Sequence, residues 1–219
     1  MQHISEFFRP IMPIWHNYIK PVTSETIRIL PDSLLFGSGL LSILTFSPAH
    51  FVFFLSIIEF AFIQSIIAST LLSSSPSTFE MKNSPLSCST GYKPGSLYQL
   101  SIMRIMKESY VPNPLIFMLS AASFYFYAMY LNFNTDYSSL GQEMISRVGL
   151  SIILSGLLIL AIIIWRSFVD KCESSFALLI SCIIGLVGMG VFYQNLNLFG
   201  PDLVNMNSIP LLQVTPVCS

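Results

Sequence analysis

Residues 33–72, SLLFGSGLLSILTFSPAHFVFFLSIIEFAFIQSIIASTLL, decide the fold of this chain. They contain no lysine or arginine, and their ionisable side chains are Glu59 and His50. A helix crosses a hydrocarbon layer about 30 Å thick with about 20 residues, so these forty residues are too many for one span. Pro48 lacks an amide donor and restricts Ser47, so a helix usually breaks there. The pattern predicts a tight helical hairpin with arms at residues 33–46 and 49–72.

The first arm of this hairpin is short for a membrane span. Its 14 residues would extend about 21 Å along a helix. We expect this arm to tilt little, to thin the bilayer, or to gain a turn from Pro31 and Asp32.

The composition indicates a multi-pass membrane protein. Of the 219 residues, 53% are hydrophobic and 10% are charged, and the mean hydropathy is +0.69. A soluble domain is normally about a quarter charged, and here the apolar residues fall in long runs. The net charge of −1 gives no electrostatic basis for binding nucleic acid, so no nucleic-acid partner is expected.

The four cysteines are scattered along the chain, at Cys88, Cys172, Cys182 and Cys218. They form no CxxC pair and no Cys/His spacing suited to zinc, so neither a metal site nor a disulfide framework is expected. The first 30 residues lack the apolar core of a cleavable signal peptide. We therefore expect the hairpin itself to direct membrane insertion.

The regions outside the hairpin divide by composition. Residues 1–32 form an aromatic-rich tail whose rings beside basic residues suit a bilayer interface, although an ordinary tail would look similar. Residues 73–111 form an extramembrane loop rich in turn residues. Residues 112–193 contain three apolar runs long enough to span, and residues 194–219 form a tail outside the membrane in which three prolines discourage a sixth helix.

Part of the extramembrane loop has a helical pattern. On a helical wheel over residues 95–110, apolar and polar side chains separate onto opposite sides. The pattern predicts a surface helix. The apolar side contains Tyr98, Ile102, Ile105 and Met106, and the polar side contains Arg104, Lys107 and Glu108.

The distribution of basic residues tests the number of spans. With five spans, nine of the ten Lys and Arg residues lie on one face and Arg147 alone lies on the other, whereas four spans divide them four to six. Basic residues in short loops stay on the cytosolic side. The charges therefore favour five spans, with the N-terminus on the cytosolic face and the C-terminus on the opposite face.

Glu59 lies near the middle of the second span. An ionised carboxylate there costs about 2.5 to 3.5 kcal/mol on insertion scales, so we expect it to be neutral, hydrogen-bonded or facing water. Ser123, Tyr125 and Ser155 are candidate partners at matching depth in a packing hydrogen bond. The alternative is a proton or cation site that includes Glu59.

Small residues recur at four-residue spacing in the last two spans. They are Ser151 and Ser155 in the fourth span, and Ser181 and Gly185 in the fifth, where Gly188 and Gly190 follow. Such faces let helices approach closely in lipid, and packing within the bundle is the expected role.

No catalytic constellation is present in the sequence. No Ser/His/Asp set, metal-ligand cluster or pair of carboxylates falls within reach. An enzyme is therefore the least supported class, and no cofactor is expected.

Four short stretches, spread over most of the chain, form a recognisable set. They are LLFGSGLL at 34–41, VFFLSIIE at 52–59, CSTGY at 88–92, and FGPDLVN at 199–205 followed by Ile209 and Pro210. Together they resemble a multi-pass virion membrane protein, associated with minor capsid proteins, of nucleocytoplasmic large DNA viruses. The resemblance carries no catalytic motif. It implies a structural protein of the membrane beneath an icosahedral capsid, in contact with minor capsid proteins.

We therefore expect a structural protein that anchors or organises a membrane within a larger assembly, with the bilayer and other membrane or capsid proteins as its partners. The alternative is a small channel, transporter or accessory subunit that uses Glu59. The basic face, residues 1–31 and 73–111, is the expected docking surface, unless these segments simply lie on the bilayer. Its candidate contact residues are Trp15, Tyr18, Tyr92, Tyr98, Arg104 and Lys107.

Overall fold

The protein is a bundle of five membrane-spanning helices. The computed structural model describes residues 11–74, 88–91, 101–135 and 142–205. Within them, five helices are long and apolar enough to cross a membrane, which confirms the predicted all-α polytopic fold. These spans are Trp15–Thr45, Pro48–Ser74, Pro114–Asn132, Ser146–Val169 and Ser175–Phe199.

The first two spans form the predicted hairpin, α1 (Lys20–Thr45) and α2 (Pro48–Ser74). Phe46 ends α1 in the left-handed conformation, with φ of 49°, and α2 begins at Pro48. The hydroxyl of Thr45 lies 3.1 Å from Nδ1 of His50 and ties the two helix ends together. The end of the bundle that contains this turn is called the far face, and the opposite end is called the near face.

The first helix begins much earlier than residue 33. A short helical turn, Ile11–Ile14, and a wider π-helical segment, Trp15–Ile19, lead directly into α1, which continues through Pro31. The helix therefore begins before residue 33, where the sequence predicts the start of the first span. The helix tolerates Arg28 and Asp32 because both are buried against other parts of the chain, where they have partners.

The third span, α3 (Pro114–Asn132), is the centre of the bundle. The side chain of Asn113 caps it by accepting a hydrogen bond from the amide of Ile116, 3.2 Å away. Helices of all four other spans pack against it. Two thirds of its most apolar window, 67%, is buried inside the protein, the largest share of any span.

The fourth span lies at the edge of the bundle. It consists of α4 (Gln142–Ile164), which continues as a π-helical segment, Trp165–Val169. Only 17% of its apolar window is buried inside the protein, so most of its surface is available to lipid. Ser151 is exposed on this surface, and the prediction that it packs within the bundle is wrong.

The fifth span is interrupted and then turns back onto the bundle. It consists of α5 (Ser175–Ile184) and α6 (Val187–Phe199), and a last turn, α7 (Pro201–Val204), packs against α2 and α6. The predicted start of the tail at residue 194 therefore falls inside a helix. A side chain at Gly185 or Gly188 would collide with α3, so these glycines provide the predicted close approach, whereas Gly190 faces open space.

The near-face loop is compact where it is described. Residues 101–110 contain one 3₁₀ turn, Ile102–Arg104, and no longer helix, so the predicted surface helix is wrong over these residues. The predicted separation of apolar from polar side chains is correct for four of these residues. Ile102 and Met106 are buried, while Lys107 and Glu108 are exposed. Tyr98 lies outside the described residues.

A disulfide bond that the sequence did not predict joins two near-face loops. Cys88 and Cys172 are 84 residues apart in the chain, and their Cα atoms lie 5.3 Å apart. The five-span topology explains their meeting, because it places the loop after α2 and the loop after α4 on the same face. Cys182 is a free thiol on α5.

Candidate functional sites

The near face carries a folded cap, defined as residues 88–91, 101–113 and 166–174. Buried polar side chains fasten this cap to the spans at several points. The first is Arg28 of α1, which donates from Nη1 to the carbonyl of Gly91 and pairs with Glu25, with Nη2 and Oε1 2.6 Å apart. The Arg28 carbonyl also accepts a hydrogen bond from the Gly91 amide, at 2.8 Å.

Arg166, at the end of the fourth span, fastens the other end of the same short segment. Its Nη2 donates to the carbonyl of Cys88 at 2.7 Å and to Glu173 Oε1 at 2.5 Å, and its Nε donates to Glu173 Oε2 at 3.1 Å. Asn113 donates a further hydrogen bond to Glu173, at 3.0 Å. Burial raises the pKa of Glu173, and the charge of Arg166 and the hydrogen bonds from Arg166 and Asn113 act in the opposite direction.

Asp32 of α1 anchors the start of the cap segment 101–113. One carboxylate oxygen accepts from the Ile102 amide at 2.8 Å, and both accept from the Ser101 hydroxyl at 2.9 Å. Gly91, with φ of 81°, packs against this group, and a side chain there would collide with Met103. Only glycine therefore suits this position.

Gln64 of α2 forms hydrogen bonds with the backbone at the end of the cap segment 101–113. Its amide nitrogen donates to the carbonyls of Lys107 and Pro112, at 2.8 and 3.0 Å, and its amide oxygen accepts from the Lys107 amide at 3.0 Å. A glutamine that makes three hydrogen bonds in a buried position fixes the loop strongly, because each lost partner would leave a buried polar group unpaired. The cap is thus a preformed surface and not a loose linker.

Only some of the predicted contact residues are exposed on the near face. Arg104 and Lys107 are exposed on the cap, and Tyr18 is 68% exposed on the helix that precedes α1. Trp15 is half-buried against Trp165, with ring centroids 5.6 Å apart. Tyr92 and Tyr98 lie outside the described residues.

A second candidate site surrounds Glu59 inside the membrane. The amide of Asn195, on α6, donates to Glu59 Oε2 at 3.4 Å and to the Ser56 hydroxyl at 2.8 Å. The buried Tyr125 ring packs beside these groups, with its centroid 6.3 Å from that of Phe60 on α2 and 5.3 Å from that of Phe192 on α6. Of the three predicted partners, the structure brings Tyr125 to this cluster.

Ser123 and Ser155 lie elsewhere, on a groove between α3, α4 and α5. The groove has a volume of about 290 Å³, and its walls are mostly apolar. The Ser155 hydroxyl donates to the carbonyl of Ile152 in its own helix, at 2.8 Å. The groove is separate from the Glu59 cluster, since the two have no residue in common.

Sequence reasoning missed four functional residues. They are Arg28, Gln64, Arg166 and Asn195. The sequence places Asn195 in the predicted tail, and Arg28 and Arg166 contribute there only to the charge distribution. An isolated polar side chain within or beside an apolar run is the signal that would have identified each of them. The partners could not be read from the sequence, because they come from distant segments.

Comparisons with known proteins add no family to this description. No family model matches the chain, and neither a curated protein nor a solved structure matches it.

Proposed function

We propose that this protein is a structural integral membrane protein that anchors or organises a membrane within a larger assembly, and that its cap is the docking surface for a protein layer. One observation carries the proposal. Arg28 and Arg166, from two different spans, hold the two ends of the segment 88–91, and the Cys88–Cys172 disulfide locks the same segment to the loop that follows Arg166.

A preformed surface suits docking because little conformational entropy is lost when a partner binds. The cap presents charged side chains outward, and its apolar side chains are buried or half-buried, except for Phe168, which is 69% exposed. A partner with acidic groups at the rim of its interface would complement this surface. The exposed charged residues of the cap are Arg104, Lys107, Glu108 and Lys171.

The virion is the assembly that we propose. Its support is the resemblance of four stretches to virion membrane proteins of nucleocytoplasmic large DNA viruses. One of these stretches includes residues 88–91, which Arg28 and Arg166 hold in place. Another includes α7, whose Val204 is buried in the core of the bundle. Minor capsid proteins would then be the partners that dock on the cap.

The orientation that we propose, with the near face in the cytosol, follows from the nine basic residues on that face. The disulfide adds a requirement. Thiols exposed to the cytosol are normally kept reduced, so this orientation needs an oxidant that reaches the near face. A near face in an oxidising compartment would instead violate the charge rule.

Charge reversal on the cap tests the docking function. The variant combines Arg104→Glu with Lys107→Glu, and Arg147→Glu on the far face is the matched control. In cells that produce the assembly, we expect the cap variant to reach the membrane normally but to co-sediment with the assembly at least tenfold less than the wild type. Equal loss in the control, or no loss in the cap variant, would contradict the proposal.

A further inference from the structure

Glu59 lies deep in the membrane. It comes eleven residues after Pro48, the far-face start of α2, or about 16 Å along the helix axis. Its side chain is only partly covered by the protein. Within the described part of the chain, the ion pairs are Arg28 with Glu25 and Arg166 with Glu173, and neither includes Glu59. An ionised Glu59 would therefore lack both a counter-ion and full hydration.

The neighbours of Glu59 are neutral and belong to three helices. They are Ser56 on α2, Tyr125 on α3 and Asn195 on α6. Asn195 is completely buried, yet its Oδ1 has no hydrogen-bond partner among the described residues. A buried acceptor without a donor is unfavourable, so the amide oxygen of Asn195 is left in need of a hydrogen-bond donor.

A protonated Glu59 can supply that donor. A carboxylic acid has an O–H group, whereas a carboxylate only accepts hydrogen bonds. The two ends of an amide have nearly the same shape, so rotation of the Asn195 amide by half a turn would bring Oδ1 to the carboxyl group. The same cluster can thus hold the ionised acid through Nδ2 and the protonated acid through Oδ1.

The elements around α2 supply few other titratable groups. α3 contributes Tyr125, α6 contributes Asn195, which does not titrate, and α7 carries Asp202, which is exposed. The charged residues of α1, which are Lys20, Glu25, Arg28 and Asp32, all lie in its first half, towards the near face. Asn195 lies four residues before the end of α6 at Phe199, about 6 Å along the axis, so the cluster leads from Glu59 towards the far face.

We propose that Glu59 is a reversible proton-binding site inside the membrane, which exchanges its proton with water on the far face through the Asn195 cluster. In the binding step, a hydronium ion transfers one proton to a carboxylate oxygen of Glu59 and becomes water. The acid then donates its O–H to Asn195. This site is separate from the cap, and its function does not depend on docking.

A lipophilic carbodiimide tests the proposal, because it dissolves in the hydrocarbon layer and reacts with protonated carboxyl groups. The acid proton moves to a carbodiimide nitrogen, a carboxyl oxygen bonds to the central carbon, and rearrangement gives a stable adduct that retains every atom. The full chain in liposomes is labelled over a range of pH, and the adducts are located by mass spectrometry. We expect labelling of Glu59 that falls at least tenfold from the acidic to the alkaline end of the range.

Two controls separate the proposal from a structural role. Glu59→Gln keeps the shape and the hydrogen-bonding capacity, so it should abolish labelling of this peptide without changing thermal unfolding. Glu108, exposed on the cap, should react with a water-soluble carbodiimide that spares Glu59. In vesicles sorted by orientation, acid on the far side alone should raise the labelling of Glu59.

Three results would overturn the proposal. Absence of labelling at every pH would show that the carboxyl is not protonated in the membrane. Labelling that is independent of pH would show a permanently neutral packing residue. A response to acid only on the near side would exclude the route through Asn195.

Discussion

The guanidinium of Arg166 donates a hydrogen bond to the carbonyl of Cys88, 2.7 Å away, although 78 residues separate them in the chain. Arg166 is completely buried, and its only ion-pair partner among the described residues is Glu173. Such a group stabilises a structure only when all its partners are present. This contact therefore makes the loop after α2 and the end of the fourth span one cooperative unit.

Removal of one member of this ion pair should destabilise the cap severely. We expect Arg166→Met to cost about 3 to 5 kcal/mol, because it leaves the Glu173 carboxylate buried without its counter-ion. Thermal unfolding in detergent and the rate of proteolysis of the near-face loops measure the effect. Combining Arg166→Met with Glu173→Leu should recover much of the loss, whereas Lys107→Met on the exposed surface should change stability by less than about 0.5 kcal/mol. Equal stability of the single and double variants would contradict this account.

The cysteines should report both the disulfide and the topology. Without a reductant, Cys88 and Cys172 should resist alkylation, and after reduction both should react from the same side of sealed vesicles. Cys218 should react from the opposite side. Labelling of Cys88 and Cys218 from one side would exclude five spans.

Reduction should also lower the stability of the cap. A closed loop of this length would contribute about 4 to 5 kcal/mol if the unfolded chain were a free coil. The loss should be smaller here, because the spans remain inserted when the cap unfolds. Paired measurements with and without reductant give the difference.

The number of spans and the hairpin could be predicted because both follow from local properties. Runs of apolar residues define spans by length, and Pro48 interrupts the longest run wherever the rest of the chain lies. The start of α1 could not be found this way. In the sequence, Arg28 and Asp32 look like polar residues that precede the span. In the structure, partners at Gly91 and Ile102 make their burial within the helix favourable.

The partner of Glu59 was missed for a related reason. The sequence predicts a tail from residue 194 onward, which places Asn195 outside the membrane. The fifth span extends to Phe199, after its interruption at Gly185 and Leu186. Only the position of α6 in three dimensions shows that it delivers an amide to the second span.

Two glycines of the fifth span should respond in opposite ways to the same substitution. A Cβ at Gly188 would overlap the backbone of Ala121 on α3, so Gly188→Ala should destabilise the bundle by about 1 to 3 kcal/mol. Gly190→Ala is the matched control. Nothing lies within 4 Å of a Cβ at Gly190, and alanine favours a helix by up to about 1 kcal/mol. Thermal unfolding of both variants in the same detergent measures the difference, and equal destabilisation would contradict the close packing of α6 on α3.

The last prediction separates docking from simple adsorption of the near-face loops to lipid. If the near-face loop docks on a partner protein in the assembly, it has no partner in liposomes that contain this protein alone. It should then be open to protease between residues 73 and 93. A loop that lies on the bilayer should already be protected. We expect cleavage in lipid alone, and protection when capsid-layer proteins are added. The cap variant with Arg104→Glu and Lys107→Glu should be cleaved equally with and without these proteins, while Arg147→Glu should be protected like the wild type. Protection in lipid alone, unchanged by capsid-layer proteins, would contradict docking, because the basic residues would then be neutralised by anionic headgroups and not by a protein partner.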